Sequence, residues 1–187
     1  MAYEEVRSLV PRLYEAYEGR VDITLHMGMT SQHNYYTIEK LGHRDGYDQY
    51  PDIHGVKMPK DDGETYWSDC PPVLETSLRF DDVWARWRSN LIDTPDVSPE
   101  LDGVVVRPSE DPGHFICDFI YYSSLAEHWR NKRESTDNKV DERPVMFMHV
   151  PARTGKNDLI KGKLVTISLI RALAESWKLH KGNGAAR

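Results

Sequence analysis

The chain has 187 residues, of which 39% are hydrophobic, a size that suits one domain with a sizeable core rather than two. No uncharged apolar run approaches the length of a membrane span, and the first residues lack the basic and apolar regions of a secretory signal, so we expect neither a membrane protein nor an exported one. The net charge of −6, with basic residues scattered among acidic ones, argues against a nucleic-acid-binding surface.

The chain has only two cysteines, and they occur in very different contexts. Neither Cys70 nor Cys117 has a second cysteine or a histidine at the spacing of metal ligands. The sequence therefore supports neither a disulfide framework nor a structural zinc site, and we expect no metal.

Hydrophobic periodicity predicts helices and strands in alternation. The first half of the chain is predicted to contain a helix over 3–17 kinked at Pro11 and ended by Gly19, a strand over 21–27 running to Gly28, a turn over 42–46 and a surface loop over 48–64. Next come a helix through Phe80, Trp84, Trp87 and Leu91, a proline-rich connection over 94–99, a strand over 104–107 and a helix beginning near Cys117. The last predicted elements are a solvated loop over 130–139, a buried strand over 145–150 and a helix through Leu169 and Trp177. This alternation predicts an α/β fold with a mostly parallel sheet. We expect one domain over 1–180 and a disordered tail over 181–187.

Cys117 stands where a strand, a Pro-Gly turn and a helix are predicted to follow one another. Unpaired N–H groups and the positive end of the helix dipole at that point favour thiolate over thiol, as a nucleophile needs. An inert thiol buried in the core is the common alternative for a lone cysteine. Position alone leaves the two interpretations equally open.

Two further residues are predicted to share a crevice with this cysteine. Glu39 comes after the strand over 21–27, and His149 lies at the end of the strand over 145–150. Ligand sites of parallel sheets gather at the carboxyl ends of the strands, so Cys117, His149 and Glu39 are candidates for nucleophile, base and orienting carboxylate of a thiol hydrolase. Each also has an ordinary explanation: His149 as a strand-end histidine bonded to a carbonyl, and Glu39 as a solvated side chain.

Three segments resemble motifs of the pyroglutamyl peptidase I family, and they follow one another along this chain in the order that the family has. They are residues 113–125 (GHFICDFIYYSSL), which resemble its nucleophile segment; residues 148–151 (MHVP), which resemble its catalytic histidine; and residues 25–28 (LHMG), followed at the family's spacing by 37–40 (TIEK) and 42–43 (GH). The resemblance implies a cytoplasmic cysteine peptidase that removes N-terminal pyroglutamate (5-oxoproline) from peptides. It implies Cys117 as nucleophile, His149 as base and Glu39 as the orienting carboxylate, with no metal or organic cofactor.

The resemblance also implies a substrate pocket and an architecture. Phe115 and Ile116 match family positions that line the pocket for the lactam ring, a compact neutral group that an apolar wall can select. The implied fold is a three-layer α/β/α sandwich with a mostly parallel sheet.

This chain departs from the family pattern at its beginning. The family's N-terminal strand, loop, helix and strand are not found in it, so we expect an incomplete domain whose sheet lacks those strands. Exposed sheet edges would favour self-association, which leaves a homo-oligomer as an expectation. Two alternatives to the active peptidase follow: an inactive relative with at most a binding or association role, and a thiol hydrolase of different specificity whose pocket is formed by the loop over 48–64.

Overall fold

The computed structural model describes residues 1–17, 20–92, 99–134 and 142–184. Its helices are α1 (Tyr3–Ala16), α2 (Asp62–Tyr66), α3 (Phe80–Ile92), α4 (Ile116–Glu134) and α5 (Lys156–Gly184), with a 3₁₀ turn at Pro99–Leu101. Its strands are β1 (Thr24–Thr30), β2 (Tyr36–Glu39), β3 (Leu41–His43), β4 (Val73–Glu75), β5 (Val106–Ser109) and β6 (Val145–Pro151). Among the helices in these ranges, none combines the length and the apolar character needed to cross a bilayer.

The strands form two sheets. Four of them lie in the order β1-β6-β2-β5, and β3 pairs with β4 in an antiparallel ladder in which Gly42 faces Leu74. The mixture of helices with a mostly parallel sheet confirms the predicted α/β fold.

The chain divides into two compact units. The first comprises Met1–Gly28, Glu39–Ser77 and Ser109–Met148, and the second comprises Met29–Ile38, Leu78–Pro108 and His149–Arg187. The expectation of one domain over residues 1–180 stays a prediction.

Aromatic side chains form the core of the first unit. The ring of Phe119 in α4 meets those of Tyr3, Tyr47 and Trp67 with centroid distances of 5.0, 5.1 and 5.3 Å, all at steep interplanar angles. Edge-to-face pairs of this kind stabilise beyond the area that they bury. Helix α1 is thereby held against α4, the helix that carries Cys117.

The core of the second unit lies between α3 and α5. Trp87 is fully buried in α3, and its indole Nε1 donates a hydrogen bond to the carbonyl of Val165 in α5 at 3.1 Å. Of the predicted apolar face of α3, Phe80, Trp87 and Leu91 are buried, whereas Trp84 is only partly buried.

Strand positions differ most from the sequence-based predictions. Strand β1 begins at Thr24 rather than at residue 21 and continues through Gly28 to Thr30, because its first ladder bond is the one that the Thr24 N–H donates to the carbonyl of Pro144 at 2.9 Å. Strand β5 likewise covers Val106–Ser109 instead of 104–107. Strand β2 was not predicted, and the turn expected over 42–46 begins as strand β3.

Two segments expected to be loops contain helix. The predicted surface loop over 48–64 contributes the buried Met58 to the core and leads into α2. Helix α4 continues through Arg130, where the solvated loop was expected to begin, because the Arg130 guanidinium pairs with the carboxylate of Asp69 at 2.8 Å. Residues 135–139 of that predicted loop lie outside the described residues.

The remaining predictions concern chain ends and connections. Helix α1 contains Pro11, as expected, and Gly19, predicted to end it, lies outside the described residues. Residues 94–98 of the proline-rich connection also lie outside the described residues. Helix α5 extends to Gly184, past residue 181 where the disordered tail was expected to begin, and residues 185–187 are not described.

Candidate active site

A tight turn immediately precedes helix α4. The Asp111 carboxylate accepts a hydrogen bond from the Gly113 N–H at 2.9 Å, and Gly113 has a φ of +87°, which suits a residue without a side chain. The helix then begins at Ile116, so that Cys117 is its second residue and is half-buried. The predicted placement of this cysteine in the first turn of a helix is confirmed.

Strands β1 and β6 approach the sulfur of Cys117 closely. A β-carbon built on Gly28 would lie 2.7 Å from the Cys117 Sγ and 2.8 Å from the Cζ of Phe147. Real β-carbons do not approach other atoms so closely, which means that only glycine fits here without displacing the sulfur or the ring. The sulfur therefore lies directly over the backbone of β1.

Glu39 lies on the same side of α4 as the cysteine. The buried hydroxyl of Tyr121 donates a hydrogen bond to the backbone carbonyl of Glu39 at 2.9 Å, and burial raises the pKa of Tyr121 well above its ordinary value, so the phenol keeps its proton. Cys117 and Tyr121 are four residues apart and share a face of the helix. Glu39 itself is 1% exposed, which contradicts its interpretation as a solvated side chain.

The other predicted site residues occupy defined places. His149 is the fifth residue of β6 and is buried, in the second unit. Phe115 packs edge-on against Tyr3 and Tyr50, with both pairs of ring centroids 6.1 Å apart, and Ile116 is half-buried at the start of α4.

The second cysteine has the environment of an inert thiol. Cys70 is 4% exposed within the aromatic core, and burial raises the pKa of its thiol to about 11. A thiol with such a pKa is almost entirely protonated at neutral pH. The choice of Cys117 over Cys70 as the candidate nucleophile is therefore consistent with their surroundings.

A cluster that the sequence did not reveal surrounds Asp118, the residue after Cys117. The fully buried carboxylate of Asp118 accepts hydrogen bonds from the His43 backbone N–H at 2.9 Å and from the His43 ring Nδ1 at 3.0 Å. Burial raises the pKa of Asp118, and the hydrogen bond to Asp118 raises the pKa of His43. His114 Nδ1 lies 3.7 Å from the same carboxylate.

A separate cavity of about 500 Å³ lies beside the beginning of β1, lined mainly by apolar side chains that include Val10, Leu13, Ile23 and Leu25. His26 at its wall shares a hydrogen bond of 2.7 Å with the Ser124 hydroxyl. Burial lowers the pKa of His26 to about 4 and, together with the charge of Arg143, lowers that of His128 to about 4. Both rings are therefore neutral at pH 7.

Comparisons with known proteins agree on one relationship. No family model matches the chain. Pyroglutamyl-peptidase 1 of Rattus norvegicus is 28% identical over 152 residues, and the human protein of the same name is 29% identical over 153 residues, each match covering 80% of this chain. The chain spans 57% of the length of these two relatives.

Solved structures of low sequence identity share the fold. A mutant pyrrolidone carboxyl peptidase from Pyrococcus furiosus superposes with a TM-score of 0.67 at 15% identity, covering 96% of this chain and 78% of that one. The pyrrolidone carboxyl peptidase from Thermus thermophilus gives a TM-score of 0.62 at 22% identity, covering 93% of this chain and 78% of that one. The chain is thus related to the pyroglutamyl peptidase I family.

Proposed function

We propose that this protein is a cysteine peptidase that removes an N-terminal pyroglutamate from peptides. The observation that carries the proposal is the similarity over 80% of this chain to two proteins named pyroglutamyl-peptidase 1. The position of Cys117 in the first turn of α4 is the structural feature that supports it, since a half-buried thiol beside helix N–H groups is the setting of a reactive cysteine.

In the proposed reaction the Cys117 thiolate attacks the carbonyl carbon that joins pyroglutamate to the next residue. N–H groups of the first turn of α4 would donate hydrogen bonds to the oxyanion of the tetrahedral intermediate. The intermediate collapses by breaking the C–N bond, and the peptide leaves with a free amine. Water then attacks the thioester, which releases pyroglutamate and restores the thiol.

His149 is proposed to carry the protons of this cycle. It would take the proton from the thiol, give it to the leaving amine, and later take a proton from the attacking water. Residues two apart in a strand project from the same face, so His149 shares a face of β6 with Phe147. That pairing supports the assignment because Phe147 is a neighbour of Gly28, the residue beneath the sulfur.

Glu39 is proposed to orient the imidazole and to stabilise its protonated form. Glu39 is 1% exposed, and a buried carboxylate needs a paired group that compensates the cost of its desolvation. Its burial therefore supports pairing with the imidazole. The hydrogen bond from Tyr121 to the Glu39 carbonyl would fix the backbone from which the side chain extends.

Phe115 and Ile116 are proposed to contact the lactam ring. Both precede Cys117 directly, and the edge-on contacts of Phe115 with Tyr3 and Tyr50 would keep its ring in one position. A rigid apolar wall beside the nucleophile suits a compact neutral ring.

The proposal includes location and partners. The family resemblance supports a cytoplasmic protein whose partners are N-terminally pyroglutamylated peptides, and the net charge of −6 supports the absence of nucleic-acid binding. Self-association stays a prediction. Its candidate surface is the edge strand β1 of the four-stranded sheet, where the side chains of Met27 and Met29 are 50% and 70% exposed.

The direct test is cleavage of a fluorogenic pyroglutamyl amide by the purified chain. We expect cleavage of this substrate and none of the matching prolyl amide, which lacks the ring carbonyl. Cys117→Ala should abolish cleavage, whereas Cys70→Ala should retain it, because the second thiol is protonated and enclosed in the core.

Two results would contradict the proposal. One is a folded protein, shown by a cooperative melting transition, that does not cleave the pyroglutamyl amide. The other is cleavage that survives in the Cys117→Ala variant, which would remove the nucleophile from the scheme.

A further inference from the structure

Two histidines and a carboxylate from separate parts of the chain meet in the first unit. One ligand atom from each of His43, His114 and Asp118 lies within 4.8 Å of the other two. The Asp118 Oδ2 is 3.0 Å from His43 Nδ1 and 3.7 Å from His114 Nδ1. None of the three has a part in the proposed peptide hydrolysis.

We propose that these three side chains form a binding site for Zn²⁺. Imidazole nitrogens combined with one carboxylate are ligands that zinc takes in proteins, whereas Ca²⁺ and Mg²⁺ prefer oxygen ligands alone. Three protein ligands leave the fourth position of a tetrahedral ion to water.

The spacing of the ligand atoms fits an ion of this size. Zinc bonds to nitrogen and oxygen are about 2 Å long, so neighbouring ligand atoms of a tetrahedral site are about 3.3 Å apart. The measured separations of 3.0 and 3.7 Å lie on either side of that value. The ligand nitrogens of His43 and His114 lie within 4.8 Å of each other, so the two rings would turn towards a common centre to admit the ion.

The three proposed ligands differ in burial, with the carboxylate enclosed and the two imidazoles partly exposed. The Asp118 side chain has no exposed surface, whereas the side chains of His43 and His114 are 20% and 40% exposed. The orientation of the carboxylate is fixed by its second oxygen, because Oδ1 accepts the 2.9 Å hydrogen bond from the His43 backbone N–H. Such outer hydrogen bonds orient the carboxylates that bind metals, and the histidine side offers an entry path from solvent.

The backbone keeps His114 beside this carboxylate. Its φ of +33° is a left-handed conformation that costs energy for a residue other than glycine, and such strain is frequently found at binding sites. The ring packs on Gly46, where an added β-carbon would lie 2.8 Å from its Nδ1. That Nδ1 donates a hydrogen bond to the carbonyl of Asp45 at 3.0 Å, which the ring would exchange for the bond to the metal.

Sequence spacing did not predict this site because its members are far apart along the chain. His43 precedes Asp118 by 75 positions, and neither cysteine takes part. His114 lies two residues before α4 and four positions before Asp118, and its left-handed backbone leaves its Nδ1 3.7 Å from the Asp118 carboxylate. The site is thus assembled by the packing of β3, which ends at His43, against this helix.

The test measures metal binding in a Cys117→Ala background, so that the candidate nucleophile cannot supply a sulfur ligand. Isothermal titration with Zn²⁺ should show one ion per chain, and Zn²⁺ should raise the melting temperature of the protein. Co²⁺ bound in place of zinc should give the visible spectrum of a nitrogen and oxygen site without a sulfur-to-metal charge-transfer band.

Variants identify the ligands. His114→Phe in the same background should weaken Zn²⁺ binding by at least about 10-fold. The control is His54→Ala, because this histidine belongs to the same unit but lies on the surface, with its side chain 64% exposed. Asp118→Asn should weaken Zn²⁺ binding as strongly as His114→Phe. If the Asp118→Asn variant fails to fold, the His114→Phe variant still tests the site, because the His114 side chain is partly exposed.

The proposal is overturned if the Cys117→Ala protein binds no Zn²⁺, or if His114→Phe binds it as tightly as its parent. It is also overturned if His54→Ala weakens binding as much as His114→Phe. These outcomes do not depend on peptidase activity.

Discussion

The backbone of Gly28 supports the sulfur of Cys117 so closely that a β-carbon at position 28 would lie 2.7 Å from it. We therefore expect Gly28→Ala to displace the sulfur or the ring of Phe147 and to lower kcat/KM for the pyroglutamyl amide by about 10²-fold, the effect of displacing a reacting group by about an ångström. Cleavage kinetics and the rate of Cys117 alkylation by iodoacetamide measure the effect.

The matched control for this variant is Gly162→Ala in α5. A β-carbon there would have the Tyr36 hydroxyl as its nearest neighbour, at an ordinary 3.7 Å. We expect unchanged cleavage and equal or slightly greater stability, since alanine is favoured over glycine in a helix by about 0.5–1 kcal/mol. Equal alkylation and cleavage rates in Gly28→Ala and wild type would show that the close approach has no consequence for the thiol.

Glu39→Gln should leave the fold intact and reduce kcat. The amide has the same shape as the carboxylate but no charge with which to stabilise a protonated imidazole, and a comparable change in a serine triad lowers kcat by about 10⁴-fold. Glu75→Gln is the control, because that side chain is 52% exposed and pairs with Lys40 at the surface at 3.4 Å. Steady-state kinetics with wild-type rates for both variants would argue against a catalytic role for Glu39.

Trp87 should matter more for stability than its neighbour Trp84. Trp87→Phe removes the donor to the Val165 carbonyl, an oxygen that keeps its helical hydrogen bond within α5, so the lost bond should cost about 0.5–1.5 kcal/mol in the free energy of unfolding. Trp87→Ala adds a cavity and should cost about 3–5 kcal/mol. Trp84 is only partly buried, so Trp84→Phe should cost less than either. Urea unfolding followed by circular dichroism measures these differences, and equal losses for both Phe variants would refute this account of the α3 core.

The neutral His26 predicts a pH-dependent stability. Its pKa is lowered from 6.5 to about 4 by burial, so between these values the unfolded chain binds a proton that the folded chain does not. The contribution of His26 to stability should therefore be constant above pH 6.5, fall as the pH drops towards 4, and level off below, with a total loss of at most about 3 kcal/mol. His128 should add a loss over the same range, since its pKa is also lowered to about 4.

The contribution of His26 is separable by mutation. His26→Gln removes the titrating ring, so the difference in unfolding free energy between pH 7 and pH 4.5 should be smaller for this variant than for wild type. His54→Gln, at an exposed position, should keep the wild-type difference. An identical pH dependence in His26→Gln and wild type would mean that the pKa of His26 is the same in the folded and the unfolded chain.

Local sequence signals were sufficient for several elements of the fold. The helical spacing of apolar residues identified α1 and α3, and the continuous apolar run identified β6. The Pro-Gly turn placed Cys117 at the beginning of a helix. These features were predictable because each is encoded by residues within a few positions of one another.

Short strands and the true ends of longer ones were not predictable in this way. Strands β2 and β3, of four and three residues, carry too few side chains to show a period. Strand β1 begins three residues later than predicted because its bounds depend on the partner with which it pairs.

The sequence by itself was enough for the α/β class of the fold and for the family to which the chain is related, and it supplied Cys117, His149 and Glu39 as candidate site residues. Only the tertiary structure decided that Gly28 supports the sulfur of Cys117 and that His43 binds Asp118, 75 positions away. The physical reason is that helices and turns follow from neighbouring residues, whereas the packing of α4 against β1 and β3 depends on contacts that no local pattern records.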